Sequence, residues 1–297
     1  YMFDAALLGN YTNFNWGGSL TVITTYATVT ELGFSARMLK KKDHDYGDDA
    51  VYNHICQFTE EAFDDPYPPF KWNREFANFI LCSDWTLFRH FLPGETNLFR
   101  WVSDERNKVT AAASFGVPGG GYLDVEYPKL AEALRRFRHL SIREKAGVEL
   151  CKKIGVSHGV HLPDPIFSQG RDFFQKVADL DHSDLPKEKF AAVYILGLNK
   201  KSIDLAVSMA ERLGLTLVFL VGYGDEGSAS LLEGRRYVTP GGKGLATWLA
   251  YISRSDYVLS NSFHGSCMAA MFDKPMAVIQ RGGGLDLRLR EFVKTFG

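Results

Sequence analysis

Hydrophobic and polar positions alternate along this chain between two periods. Phe3–Leu8 is a short apolar run that stops at Gly9-Asn10, the pattern of a buried strand. From Ser19 the apolar positions Leu20, Ile23, Ala27 and Leu32 recur at helical spacing until Gly33 ends them, so the first segment reads as strand, loop and helix. Residues 43–75 are polar, aromatic and broken by Pro66, Pro68 and Pro69, which predicts an irregular or partly helical insertion. Strand patterns return at Phe76–Leu81 and Lys108–Ser114, an amphipathic stretch covers Tyr127–Arg138, a short strand His139–Ile142, and a helix Lys145–Ile154 closed by Gly155. A second alternation then runs strand 190–196, helix 201–213, strand 215–221, helix 244–254, strand 256–260, helix 264–272, strand 276–279 and helix 286–295.

Strands that alternate with helices of about ten residues imply parallel sheets covered by helices on both faces. The pattern therefore predicts an α/β protein of two Rossmann-like domains facing across a cleft. The first spans 1–165, a polar stretch at 166–189 reads as the linker, and the second spans 190–297. Ligands in such folds bind beyond the carboxyl ends of the strands, which directs attention to the loops there.

Three loops follow predicted strands directly. GNYTNFNWGG (9–18) offers the amides of Asn10, Asn13 and Asn15, and its Gly17-Gly18 leaves room for a ligand near the next helix; Asx turns that stabilise the loop are the alternative use of the same residues. In SIREKAG (141–147), Arg143 opens a helix, where a positive charge costs about 0.3–1 kcal/mol. Its presence points to a task such as holding an anion, or to a surface pair with Glu144. SNSFHGS (260–266) places His264 where a strand pattern gives way to a small-residue helix. Ser262 and Ser266 can cap, Gly265 permits close approach, and a histidine transfers protons near neutral pH. Backbone N–H groups at that helix start suit an anion, although a tight turn alone would use the same residues. Arg281, after the strand at 276–279, is a fourth candidate for the strand ends.

Composition narrows the classes. The 297 residues carry 34 basic and 35 acidic side chains, so a nucleic-acid partner is not expected and any anion must be held locally. Cys56, Cys82, Cys151 and Cys267 lack metal-ligand spacing and read as buried, reduced thiols of a cytoplasmic protein without a zinc site. No stretch is long and apolar enough for a membrane span, and no GxGxxG or P-loop pattern occurs.

Taken in order, these segments resemble the polysaccharide pyruvyltransferase family. The resemblance runs through the loop at 10–33, FANFILCSD (76–84), KVTAAASFG (108–116), LSIREKAGVELCKKIG (140–155), Asp164-Pro165, WLAYISRSDYVLSNSFHGS (248–266) and Asp273-Lys274-Pro275. It implies a glycosyltransferase-B-like fold and transfer of pyruvate from phosphoenolpyruvate, the donor substrate, to two hydroxyls of a sugar in exopolysaccharide synthesis, with no metal or other cofactor. The acceptor would be a sugar or a lipid-linked oligosaccharide, which allows peripheral membrane association. His264 would bind the donor and move the proton. Some branches carry arginine where this chain has Ser262, so the phosphate cation is expected from Arg143, Arg281 or Arg288. Cys82–Leu87 departs from the G-S-D-Q-x-W of the family. Folds of this type often add a last helix, so a segment beyond Gly297 is expected. A nucleotide-sugar glycosyltransferase and an inactive glycan-binding domain are the competing readings of the same scaffold.

Overall fold

The computed structural model describes residues 2–10, 15–40, 50–60, 71–89, 98–116, 118–222, 230–238, 244–279 and 287–296, with backbone alone at 50, 118, 287, 288, 291, 295 and 296. The chain divides into two compact units, with the break between Gln169 and Gly170; of the earlier described residues, 15–17, 50 and 51 group with the second.

In the first unit the elements run β1 (Phe3–Leu8), α1 (Trp16–Glu31), β2 (Ala36–Met38), α2 (Ala50–Ile55), α3 (Trp72–Glu75), β3 (Phe76–Leu81), β4 (Asn107–Thr110), α4 (Tyr127–Arg135), β5 (Leu140–Ile142), α5 (Lys145–Lys153) and β6 (Gly159–His161). The main sheet is parallel in the order β2-β1-β3-β4, and β5 pairs with β6. Single bridges, Val109 to His139 and Ala113 to Ile142, continue the ladder from β4 to β5. The strand expected over 108–114 is thus broken. Ala112 takes φ 46°, and its N–H donates to Ser141 Oγ at 2.8 Å rather than to a regular ladder partner. Thr110 Oγ1 donates to the Ser141 carbonyl at 2.7 Å across the same kink. Phe76, Phe79, Phe99, Phe115 and Phe137 are all buried in the core, with Phe79 meeting Phe99 edge-on at 5.9 Å.

The second unit runs α6 (Arg171–Ala178), β7 (Phe190–Tyr194), α7 (Lys200–Leu213), β8 (Thr216–Leu220), β9 (Tyr237–Val238), α8 (Gly244–Arg254), β10 (Tyr257–Ser260), α9 (Phe263–Met271), β11 (Met276–Val278) and α10 (Leu287–Phe296). Its five strands are parallel in the order β11-β10-β7-β8-β9. β7 is buried at every residue, as an inner strand covered on both faces must be. Helix α7 starts at a reciprocal Asn199–Ser202 cap and stops at Gly214, whose φ of 64° suits glycine. Residues 166–189, expected as a linker, contain α6. Phe174, Val177 and Ala178 form its buried face, and α6 packs on α8. Four charged or amide side chains in eight residues (Arg171, Asp172, Gln175, Lys176) had concealed that stripe.

Each main sheet has a switch point. In the first, β2 and β3 flank β1 on opposite sides; in the second, β8 and β10 flank β7. Loops leaving the strands at these points diverge and leave a crevice. No helix among the described residues is long and apolar enough to cross a membrane.

Candidate active site

The crevice of the second unit is built around Asn261, the first residue after β10. Its side chain clasps Leu196 just beyond β7: Leu196 N–H donates to Oδ1 at 2.7 Å, and Nδ2 donates to the Leu196 carbonyl at 2.9 Å. Both strand ends are thereby locked at the switch point. Ser260 Oγ donates to the Tyr194 carbonyl at 2.8 Å and accepts from Ser262 N–H at 3.0 Å, which aims the chain into α9.

Ser262 is the N-cap of α9, with extended backbone and a hydroxyl that accepts from Gly265 N–H at 3.4 Å. Ser266 is fully buried, and its hydroxyl donates to the Ser262 carbonyl at 3.0 Å. Gly265 has a steric reason to be glycine: a Cβ there would lie 2.5 Å from Ser260 Oγ and 3.0 Å from the Tyr194 ring. The close approach expected of Gly265 is therefore to the protein's own strand ends. Of the four residues expected in this loop, Ser262, Gly265 and Ser266 build the turn, and His264 is what the turn presents.

His264 is 6% exposed in the first turn of α9. The Phe263 ring packs edge-on against it at 5.2 Å, and Phe292 of α10 backs Phe263 at 6.4 Å. On another side lies Gly17, where a Cβ would come within 2.1 Å of Nδ1. The space at Gly17, expected to admit a ligand, is taken by the imidazole. Asn15, also grouped with the second unit, is half-buried just before α1.

Beside the Asn261 clasp opens a cavity of about 660 Å³. Ile195, Gly197 and Asn199 line it from the loop after β7, Lys201 and Leu205 from α7, and Ile279 from the end of β11. Its walls join apolar side chains to a few polar groups, the mix that small-molecule sites use.

The first unit carries its charge differently. Arg143, just beyond β5, is 5% exposed and is met by three carboxylates. Nη1 donates to Asp164 at 2.5 Å, Nε to Glu144 at 3.3 Å, and Nη2 to Asp84 at 3.5 Å and Ser114 Oγ at 2.9 Å. Ser114 also donates to Glu144, and Asp164 accepts from Ile166 N–H at 3.1 Å. Burial opposes the guanidinium charge, but Asp164, Glu144 and Asp84 together outweigh it and hold the arginine above its ordinary pKa. Arg143 is buried, so it is not the surface pair with Glu144 that the sequence offered as one alternative. Asp84 and Trp85, at the end of β3, both take positive φ (72° and 59°), and Gly116 (φ 76°) lies against the Trp85 ring.

Asn10 is half-buried at the end of β1. Asn13 and Arg281 lie outside the described residues, as does about half of the insertion expected at 43–75; Arg288 is described in backbone alone, within α10. Sequence reasoning passed over Asn261, Asp84 and Asp164. The only available signals were a strand-end asparagine and the Asp164-Pro165 pair, whose partners lie 65 and 21 residues away.

Several solved structures share the fold. The UDP-GlcNAc 2-epimerase of Neisseria meningitidis, bound to UDP-GlcNAc, is 9% identical with a TM-score of 0.59, over 96% of this chain and 84% of that one. A putative UDP-N-acetylglucosamine 2-epimerase of Listeria monocytogenes is also 9% identical with a TM-score of 0.63, over 99% and 88%. The wall teichoic acid polymerase TagF gives 10%, 0.50, 93% and 69%. At such identities the likeness is one of architecture, the glycosyltransferase-B-like pairing of Rossmann-like units. No curated protein matches the sequence. The polysaccharide pyruvyl transferase family, in contrast, matches residues 41–282, a span that includes the Arg143 cluster, the Asn261 clasp and the His264 turn. The chain belongs to the polysaccharide pyruvyl transferase family.

Proposed function

We propose that this family member transfers the pyruvyl unit of phosphoenolpyruvate to two hydroxyls of one sugar, forming a pyruvate ketal and releasing phosphate. The observation that carries the reading is the setting of His264, an ionisable side chain held almost out of water at the start of α9, beside the switch point of a parallel sheet.

In this reading His264 delivers a proton to the methylene carbon of the donor, which makes the neighbouring carbon electrophilic. One sugar hydroxyl adds there and gives up its proton. Phosphate then leaves with the C–O bonding pair, and the second hydroxyl adds and gives up its proton. Positioned proton transfer of this kind contributes about 10²–10⁴-fold. Arg281 and Arg288 follow β11 in the chain and are assigned to the donor's phosphate and carboxylate, which a guanidinium matches with two parallel hydrogen bonds. Arg143 is left out of the donor set because its charge is already matched. The acceptor is a sugar of a polysaccharide or of a lipid-linked oligosaccharide, met at the cytoplasmic face of a membrane.

The test is incubation with phosphoenolpyruvate and a panel of acceptor sugars, following phosphate release and the mass gain of a pyruvate ketal. A second reading, nucleotide-sugar transfer, draws on the 660 Å³ cavity beside Lys201 and on the UDP-GlcNAc named with one structural relative. Turnover with a nucleotide sugar and none with phosphoenolpyruvate would select it. Binding of glycan without turnover of either donor would select an inactive binding domain.

A further inference from the structure

Gly17 has no backbone reason to be glycine. It lies in the first turn of α1, and its φ is outside the left-handed range. Glycine inside a helix is disfavoured against alanine because it loses more backbone freedom on folding. The reason for glycine is spatial. A Cβ at Gly17 would stand 2.1 Å from His264 Nδ1, 2.7 Å from Cε1 and 2.8 Å from Cγ. Carbon and nitrogen at ordinary contact need well over 3 Å, so one of the two would have to move. The ring has little space to retreat: it is 6% exposed, Phe263 packs on it, and Phe263 is backed by Phe292.

The three distances also orient the imidazole. The Nδ1 edge faces Gly17, so Nε2 lies on the opposite edge of the five-membered ring. Which nitrogen of a histidine carries the proton is set by what the other one meets.

We propose that Gly17 is a positioning residue for His264: its missing side chain seats the Nδ1 edge against residue 17 itself and commits Nε2 to the proton transfer. The proposal rests on the functional reading above for the transfer step, whereas the seating of the ring is independent of it.

The experiment compares the full chain with Gly17→Ala by long-range proton–nitrogen correlation of the imidazoles, with His264→Ala assigning the His264 signals. Gly17→Ala is expected to change the His264 nitrogen shifts, and to lower kcat about 10²-fold with little change in KM, the scale of loss that a misplacement near 1 Å produces. Unchanged His264 shifts overturn the proposal. If Gly17→Ala lowers the melting temperature, the same change placed in His264→Ala, where the ring is gone, must cost clearly less; an equal loss in both backgrounds overturns it. Should the wild-type chain fail to turn over phosphoenolpyruvate, the functional reading falls, and the nitrogen shifts still decide the seating of His264.

Discussion

Arg143 and Asp164 meet at 2.5 Å in the interior of the first unit, the aspartate side chain fully buried and the arginine side chain 3% exposed. Asp164 serves twice, since Oδ1 also accepts from Ile166 N–H and caps the short turn at Pro165–Ser168. Removing one partner of a buried pair costs about 3–5 kcal/mol because the other charge stays behind. Glu144 and Asp84 remain beside Arg143, so Asp164→Ala is expected near the lower end, about 3 kcal/mol, as a lower urea midpoint with an unchanged m-value. A midpoint within error of wild type would remove the cluster from the list of structural anchors.

How far the sequence could be read followed from how local each signal was. β1 is an apolar run legible at its observed bounds, and β7 and β10 were legible to within two residues and one. β2 and β9 have three and two residues and carry no period, and β6 is an exposed edge in which Val160 alone is apolar, so none of them left a pattern. The His264 loop was legible because a strand end, a serine cap and a helix start are contiguous. Arg143 was not, because Asp84 lies 59 residues away and Asp164 lies 21, leaving Glu144 as the visible neighbour. Gly17 was noticed but given to a ligand, since nothing in the chain announces that position 264 fills the space.

Gly265→Ala tests the rigidity of the α9 turn. The new methyl would sit 2.5 Å from Ser260 Oγ, which is already held by the Tyr194 carbonyl and Ser262 N–H. Forcing an atom into such a position costs about 1–3 kcal/mol. The strain falls on the segment that aims His264, so pyruvyl transfer should drop along with the melting temperature. A variant that melts and turns over like wild type would show that the turn has slack.

All four cysteines are buried thiols, at 5% exposure or less. Burial pushes the thiols of Cys82 and Cys151 up to about 12, and that of Cys56 higher still, from the ordinary value of about 9. A pKa raised on folding means that the unfolded chain releases the proton first. The associated stability is therefore whole below pH 9 and is lost as pH climbs from 9 towards 12. Native protein at pH 8 should leave these thiols unlabelled by a disulfide-exchange reagent, guanidinium should release all four, and thermal stability should fall steadily above pH 9. Rapid labelling of the native chain at pH 8 would contradict the burial.

His264→Ala separates chemistry from architecture. The turn is held by Ser260, Asn261 and Ser262 through hydrogen bonds that do not involve the imidazole. Truncation should therefore lower the melting temperature modestly, through lost packing with Phe263, and leave the fold intact. Turnover should fall by about 10²–10⁴-fold, the loss expected when a positioned proton donor is deleted. KM for phosphoenolpyruvate separates two uses of the ring. A kcat loss at constant KM assigns His264 to the proton, and a parallel rise in KM adds a share in holding the donor. A variant that keeps full turnover would return His264 to a packing role and leave the family chemistry to another side chain.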